Sequence, residues 1–194
     1  VTARADRPGS LARAAALAAA LVVCFGLQIV AHVLDLPIQR LFLWPRQLDG
    51  LPGVLTAHLL HADLGHLTAN VLGLIVAGWA AGWATPKLVT GAILWSALAA
   101  GLFAWLIAPS GIPHVGASGV VFGLLGFLIA AGLVRGEWRS LLTAVLVVVL
   151  YGGAWVLLLP DGSEEGRRIS WQMHLGGFLG GIAWAWTTRR ERAG

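Results

Sequence analysis

Long apolar runs alternate with short polar breaks along this chain, and the runs cover residues 11–34, about 57–83, about 88–108, 118–134, about 140–159 and about 171–188. A helix that crosses a bilayer needs about 20 predominantly apolar residues, so the pattern predicts six transmembrane helices. The fold class expected is an all-α polytopic membrane protein, a six-helix bundle. The breaks differ in kind. Residues 35–56 are long and carry Leu43-Trp44-Pro45, the content of a segment lying in the membrane interface. Thr85-Pro86-Lys87 makes a tight turn, residues 135–139 turn the chain, and residues 161–168 form a polar loop. A signal-peptide core has about 7–15 apolar residues and a cleavage site. The first run is longer and shows no clear site, so a retained helix is expected there.

Composition sharpens this picture. The chain is 58% hydrophobic and 11% charged, with a mean hydropathy of +0.80. Soluble domains carry about 25% charged residues, so an ordinary soluble domain is excluded. One compact membrane domain over 11–188 is expected, between a short 1–10 segment and a 189–194 tail. The net charge of +4 is spread over short connections, not gathered on one face, which argues against nucleic acid as a partner. Nine of the 13 Lys and Arg residues fall at the termini and in the 84–87 and 135–139 turns. The positive-inside rule then puts both termini in the cytoplasm and the 35–56, 109–117 and 161–168 connections outside. The single Cys24 excludes an intrachain disulfide and is expected to serve packing.

Polar residues inside apolar spans are costly and need a reason. Ser118 opens the fourth span, directly after a connection broken by Pro109, Gly111 and Pro113. A serine on the first turn of a helix, among small residues, is open to a substrate and a base and lies near free backbone N–H groups. A helix-capping serine followed by glycine-mediated packing explains the same residues without chemistry. The rest of the chain decides between them. His66 and Asn70 share one face in the outer half of the second span, and His174 sits near the outer start of the sixth. The charge-derived topology thus brings Ser118, His66, Asn70 and His174 to one leaflet.

Gly177 and Gly181 share a face with His174, and Gly119 and Gly123 follow Ser118. Glycine faces let helices approach to near backbone contact. If these two pack, His174 meets Ser118, and Phe122 lies against the imidazole. A serine needs a neighbouring base to become a nucleophile. The His66 side chain, the Asn70 amide and the Ser118 N–H are candidate donors to an oxyanion. No Asp or Glu lies in the spans near His174, so the arrangement is a dyad.

These residues resemble the rhomboid intramembrane serine proteases over nearly the whole chain. The resemblance rests on His61-x4-His66-x3-Asn70, on Gly116-Ala117-Ser118-Gly119 and on His174-x2-Gly177-x3-Gly181, in family order. It implies Ser118 as nucleophile, His174 as base, His66 and Asn70 at the oxyanion, and His61 as a structural residue before His66. It also implies a multi-pass protein of the bacterial plasma membrane that cuts transmembrane segments of other proteins near the outer face, without metal or cofactor. Substrate helices would enter sideways beside the fifth helix and unwind, since a helical peptide bond is shielded. Small residues near the scissile bond would suit a glycine-lined site. Two departures stand out: a Trp-Arg pair common in bacterial members reads Pro52-Gly53 here, and the aromatic against the base is Phe122 where Tyr is frequent.

Other readings are weaker. His58 and His32 are expected at the membrane surface, and His114 borders the site only if Pro113 allows it. The ten tryptophans read as interfacial anchors and lipid-facing bulk. A zinc site from His58, His61 and His66 lacks an acidic partner and an HExxH motif. A catalytically inactive rhomboid-like protein that binds transmembrane clients would normally have lost the serine or the base. A transporter or channel would continue polar residues into the inner leaflet, where these spans are almost wholly apolar.

Overall fold

The computed structural model describes residues 9–136, 138–160 and 169–189. The expected 161–168 polar loop, Glu137, residues 1–8 and residues 190–194 lie outside these. Among the described residues the chain is all-helical: α1 (Gly9–Val33), α2 (Gly53–Thr56), α3 (Leu64–Ala84), α4 (Val89–Ile107), α5 (Ser118–Arg135), α6 (Trp138–Tyr151) and α7 (Trp171–Thr187). Three 3-10 turns, Ile38–Leu41, Ala57–Leu59 and Gly152–Leu158, complete it. By length and composition α3 and α4 each suffice to cross a membrane, and the apolar stretches of α1, α5 and α6 are shorter.

Two predicted spans need correction. The second begins at Leu64, not near 57, because Asp63 is in extended conformation and its carboxylate accepts the His66 N–H at 2.8 Å. That bond satisfies one of the unpaired donors at the helix start, and His58 and His61 therefore precede the helix. The fifth predicted run is not one α-helix: α6 stops at Tyr151 and tightens to a 3-10 turn at Gly152-Gly153. Glycine is a poor helix residue because it loses most backbone freedom on ordering. The other ends agree with the polar breaks. α5 closes on Gly136 in the left-handed region, and Ser170 caps α7 by accepting the Met173 N–H at 3.2 Å.

Helix α7 packs most extensively on α5 and next on α4. A Cβ on Gly177 would run into the Gly119 carbonyl oxygen, one on Gly181 into that of Gly123, and one on Gly126 into that of Phe178. On the next face of α7, Gly176 and Gly180 receive Phe103 and Ala99 of α4. Three helices meet at close range in this way, with Leu124, Leu125, Phe127 and Leu128 of α5 filling the core beside Leu74, Ala77 and Ala92.

The connection after α1 folds back as a second, smaller cluster in which Leu43, Val54 and Ala57 pack on Ala100, Ala104 and Met173. Pro52-Gly53 now has a physical account. A Cβ on Gly53 would collide with the Phe42 and Leu43 backbone, and one on Gly101 with that of Val54. The connection is docked by close backbone approach at Gly53, where a side chain would not fit. It is fastened further by Arg46, which donates to the Ser110 hydroxyl at 2.8 Å, and by the Trp105 indole, which donates to the Gln47 carbonyl at 2.9 Å. Trp44 and Trp184 likewise donate to the Gln39 and Leu88 carbonyls, so several tryptophans expected as membrane anchors tie the chain to itself.

Candidate active site

Ser118 is the first residue of α5, and the capping position before it is Ala117, which has no side-chain hydrogen bond to offer. The serine is therefore not the cap of its own helix. Its Oγ lies 2.7 Å from the Nε2 of His174 on α7. The other ring nitrogen, Nδ1, lies 2.9 Å from the Leu157 carbonyl oxygen. A carbonyl can only accept, so Nδ1 carries the proton and donates to Leu157. Nε2 is then left with a lone pair facing Ser118, whose hydroxyl donates to it. The Phe122 ring lies on the imidazole at 4.5 Å between centroids and 26° between planes. His174 is buried and Ser118 half-buried.

The 109–117 connection reaches Ser118 through a locked backbone. Leu43 and His114 exchange both backbone hydrogen bonds, at 3.1 and 2.9 Å. The Gly116 N–H donates to the Ala57 carbonyl at 2.9 Å. Gly116 itself has φ +116°, and a Cβ there would press on the His66 ring, 2.5 Å from Nε2, and approach the Asn70 Nδ2 at 3.6 Å. The glycine thus brings the loop two residues before Ser118 directly onto His66 and Asn70. The Asn70 amide donates one hydrogen to the His66 carbonyl at 2.8 Å and retains a second donor. Ser118, His174, His66 and Asn70 gather at one end of the bundle.

His58 differs from its expected place. It is buried, with Nε2 2.9 Å from the Ala97 carbonyl and Nδ1 3.3 Å from that of Gly116. The shorter contact takes the N–H of a neutral ring, so His58 fastens the 57–59 turn to α4 beside Gly116. Burial pulls its pKa below the ordinary histidine range, against the opposing pull of those carbonyls. Burial also pushes His61 and His114 down to about 4 each, the His66 charge adding to the effect at His61. His32 is exposed. The three histidines 58, 61 and 66 do not converge, and no group of three metal-ligating side chains occurs among the described residues.

Sequence reasoning missed the Leu157 carbonyl, Arg46 and Gln28. A main-chain acceptor leaves no trace in side-chain chemistry. Gln28 is a polar residue within the first apolar run, and its cost in that setting is the signal that could have pointed to it.

A model of the Rhomboid domain matches residues 49–191. The chain belongs to the rhomboid family. An uncharacterized protein of Mycobacterium tuberculosis is 39% identical over 156 residues, covering 73% of this chain and 61% of that protein. An uncharacterized protein of Mycobacterium leprae is 35% identical over 168 residues, covering 82% of this chain and 63% of that one. The rhomboid protease GluP of Bacillus subtilis is 29% identical over 136 residues, 66% of this chain but 24% of GluP. The chain thus spans about six-tenths of the length of its mycobacterial relatives. Rhomboid family members are integral membrane proteins, and the all-helical architecture agrees with the rhomboid fold.

Proposed function

We propose that this rhomboid-family chain is an intramembrane serine endopeptidase that cleaves transmembrane segments of other membrane proteins near the outer face. The observation that carries the reading is the 2.7 Å contact between Ser118 Oγ and His174 Nε2, with Nδ1 held by Leu157. The Ser118 Oγ attacks the scissile carbonyl carbon as its proton passes to Nε2. The resulting oxyanion faces the Asn70 amide, the His66 side chain and the Ser118 N–H. Collapse of the adduct breaks the C–N bond, and Nε2 returns the proton to the departing amine. Water, deprotonated by the same Nε2, then attacks the acyl-serine and frees the carboxyl product. Acid–base assistance of this kind contributes about 10²–10⁴-fold in rate.

In this reading α1 and α3–α7 are the six spans of a membrane domain with both termini cytoplasmic. Large apolar side chains on the outside of the bundle support it, among them Val23, Leu27, Val149 and Leu150, each more than half exposed. Water-soluble monomers rarely expose large contiguous apolar surface. The Ser118 end then faces outward, which gives water access to the acyl-serine. No cofactor enters the scheme, and the partners are transmembrane substrates and the lipid bilayer.

The test uses detergent-purified protein, a generic transmembrane substrate and a fluorophosphonate probe. Wild type is expected to cleave and to be labelled at Ser118. Ser118→Ala should do neither while keeping its melting temperature, and His174→Ala should be inactive and labelled far more slowly. Substrate bound but uncut by the wild type would favour an inactive client-binding protein.

A further inference from the structure

Helix α1 contributes none of the reacting groups, yet it grips the segment in front of His66 at two points of one residue. The Gln28 side chain, 33 residues away in sequence, donates to the His61 carbonyl at 2.6 Å and accepts the His61 N–H at 2.9 Å. One side-chain amide thus engages both backbone groups of a single residue, as a strand partner would. The His61 ring is fully buried, and neither ring nitrogen has a hydrogen-bond partner among the described residues. Among the described residues no hydrogen bond orients that ring; its backbone and its neighbours do. Those neighbours are Phe25, edge-on at 6.4 Å, and His66, edge-on at 5.3 Å. Phe25 and Gln28 stand one turn apart on the same face of α1. His66 also lies close to Gly116, where an added Cβ would come within 2.5 Å of its Nε2.

We propose that Gln28 is a positioning residue for the reaction at Ser118, acting through His61 on the His66 ring; this rests on the protease reading above. The His66 imidazole thus neighbours both the His61 ring, edge-on at 5.3 Å, and Gly116. The Gln28 clamp sets where the His61 ring stands, so α1 sets one wall of the oxyanion site. Removing the amide leaves the His61 N–H and carbonyl in want of partners, and the 60–63 segment relaxes. A displacement near 1 Å in a positioned group can cost about 10²-fold, and a smaller shift proportionately less.

The experiment compares Gln28→Met, which keeps length without donor or acceptor, in two backgrounds of the full chain. In the wild-type background kcat on a transmembrane substrate should fall about tenfold with KM within about twofold, since the contact matters as charge develops. In a His66→Ala background the same change should alter kcat by less than about twofold, because the group through which it acts is gone. Equal losses in both backgrounds, or no loss in either, would overturn the proposal. Should Gln28→Met fail to fold, Gln28→Asn, whose shorter amide cannot reach both His61 backbone groups, replaces it in the same two backgrounds, with the same results supporting or overturning the proposal. A readout independent of activity comes from histidine-labelled Ser118→Ala protein, where Gln28→Met should shift the His66 ring resonances. Unshifted resonances overturn the proposal. A wild-type protein that cuts nothing while those resonances do shift would refute the protease reading and leave the positioning intact.

Discussion

Gly177 and Gly119 meet backbone to backbone: the position a side chain would take on Gly177 is already filled by the Gly119 carbonyl oxygen. The same holds four residues on, for Gly181 and Gly123. These contacts hold α7 on α5 at the distance that lets His174 reach Ser118 at 2.7 Å. A leucine at either position must push the helices apart. Gly177→Leu and Gly181→Leu are expected to lower activity by about 10²-fold or more, given the sensitivity of positioned reactions to a shift of about 1 Å. They should lower the melting temperature as well, since van der Waals packing is a main force joining helices in lipid. Ala183 is exposed on the other side of α7, and Ala183→Leu should be near wild type. Activity and melting temperature of the three variants in one detergent decide the matter; equal behaviour would mean that the seam does not control the dyad.

Gly116→Ala tests the loop before Ser118. The backbone there has φ +116°, and a methyl group would press into the His66 ring. Backbone strain of about 1–3 kcal/mol is expected from the conformation alone. Because the methyl also displaces His66, kcat should fall more than the stability loss explains. Turnover measured well below the melting temperature of the variant checks this, and wild-type kcat would detach His66 from the reaction.

Asn70 is buried on α3 and already spends one hydrogen on the His66 carbonyl. Its remaining donor is the one available to an oxyanion. Asn70→Ala should slow turnover about 10–10³-fold without abolishing it, because other donors remain. KM should move less than kcat. An unchanged kcat would reduce Asn70 to a packing residue.

His61 and His114, in the connections outside the helices, have pKa values pushed from 6.5 down to about 4 by burial. In the unfolded chain they titrate near the ordinary value, so between the two values the unfolded state binds more protons. Their contribution to stability is therefore complete above about pH 6.5 and is lost as pH falls toward 4. The melting temperature should drop between about pH 6.5 and 5, a window above most carboxylate titration. The drop should be shallower in His114→Leu. A flat profile in this window would mean that these rings do not resist protonation.

The all-helical architecture, most of the polar breaks and the glycine stripes were legible in the sequence because each is a local consequence of composition. A membrane helix must be apolar for its full length, and a close helix contact must be free of side chains. For that reason the meeting of Gly177 and Gly181 with Gly119 and Gly123, and of His174 with Ser118, was open to prediction from spacing. What only the tertiary structure decided depends on the path of the main chain between helices. The Leu157 carbonyl that sets the tautomer of His174 lies in a 3-10 turn that hydropathy reads as more helix. His58, polar and near a predicted span end, looked like a surface residue until the fold put the Ala97 and Gly116 carbonyls at its two nitrogens. Gln28 finds the His61 backbone across 33 residues. Hydropathy and spacing report what a residue would avoid; which backbone group it meets is fixed when separate helices close on one another.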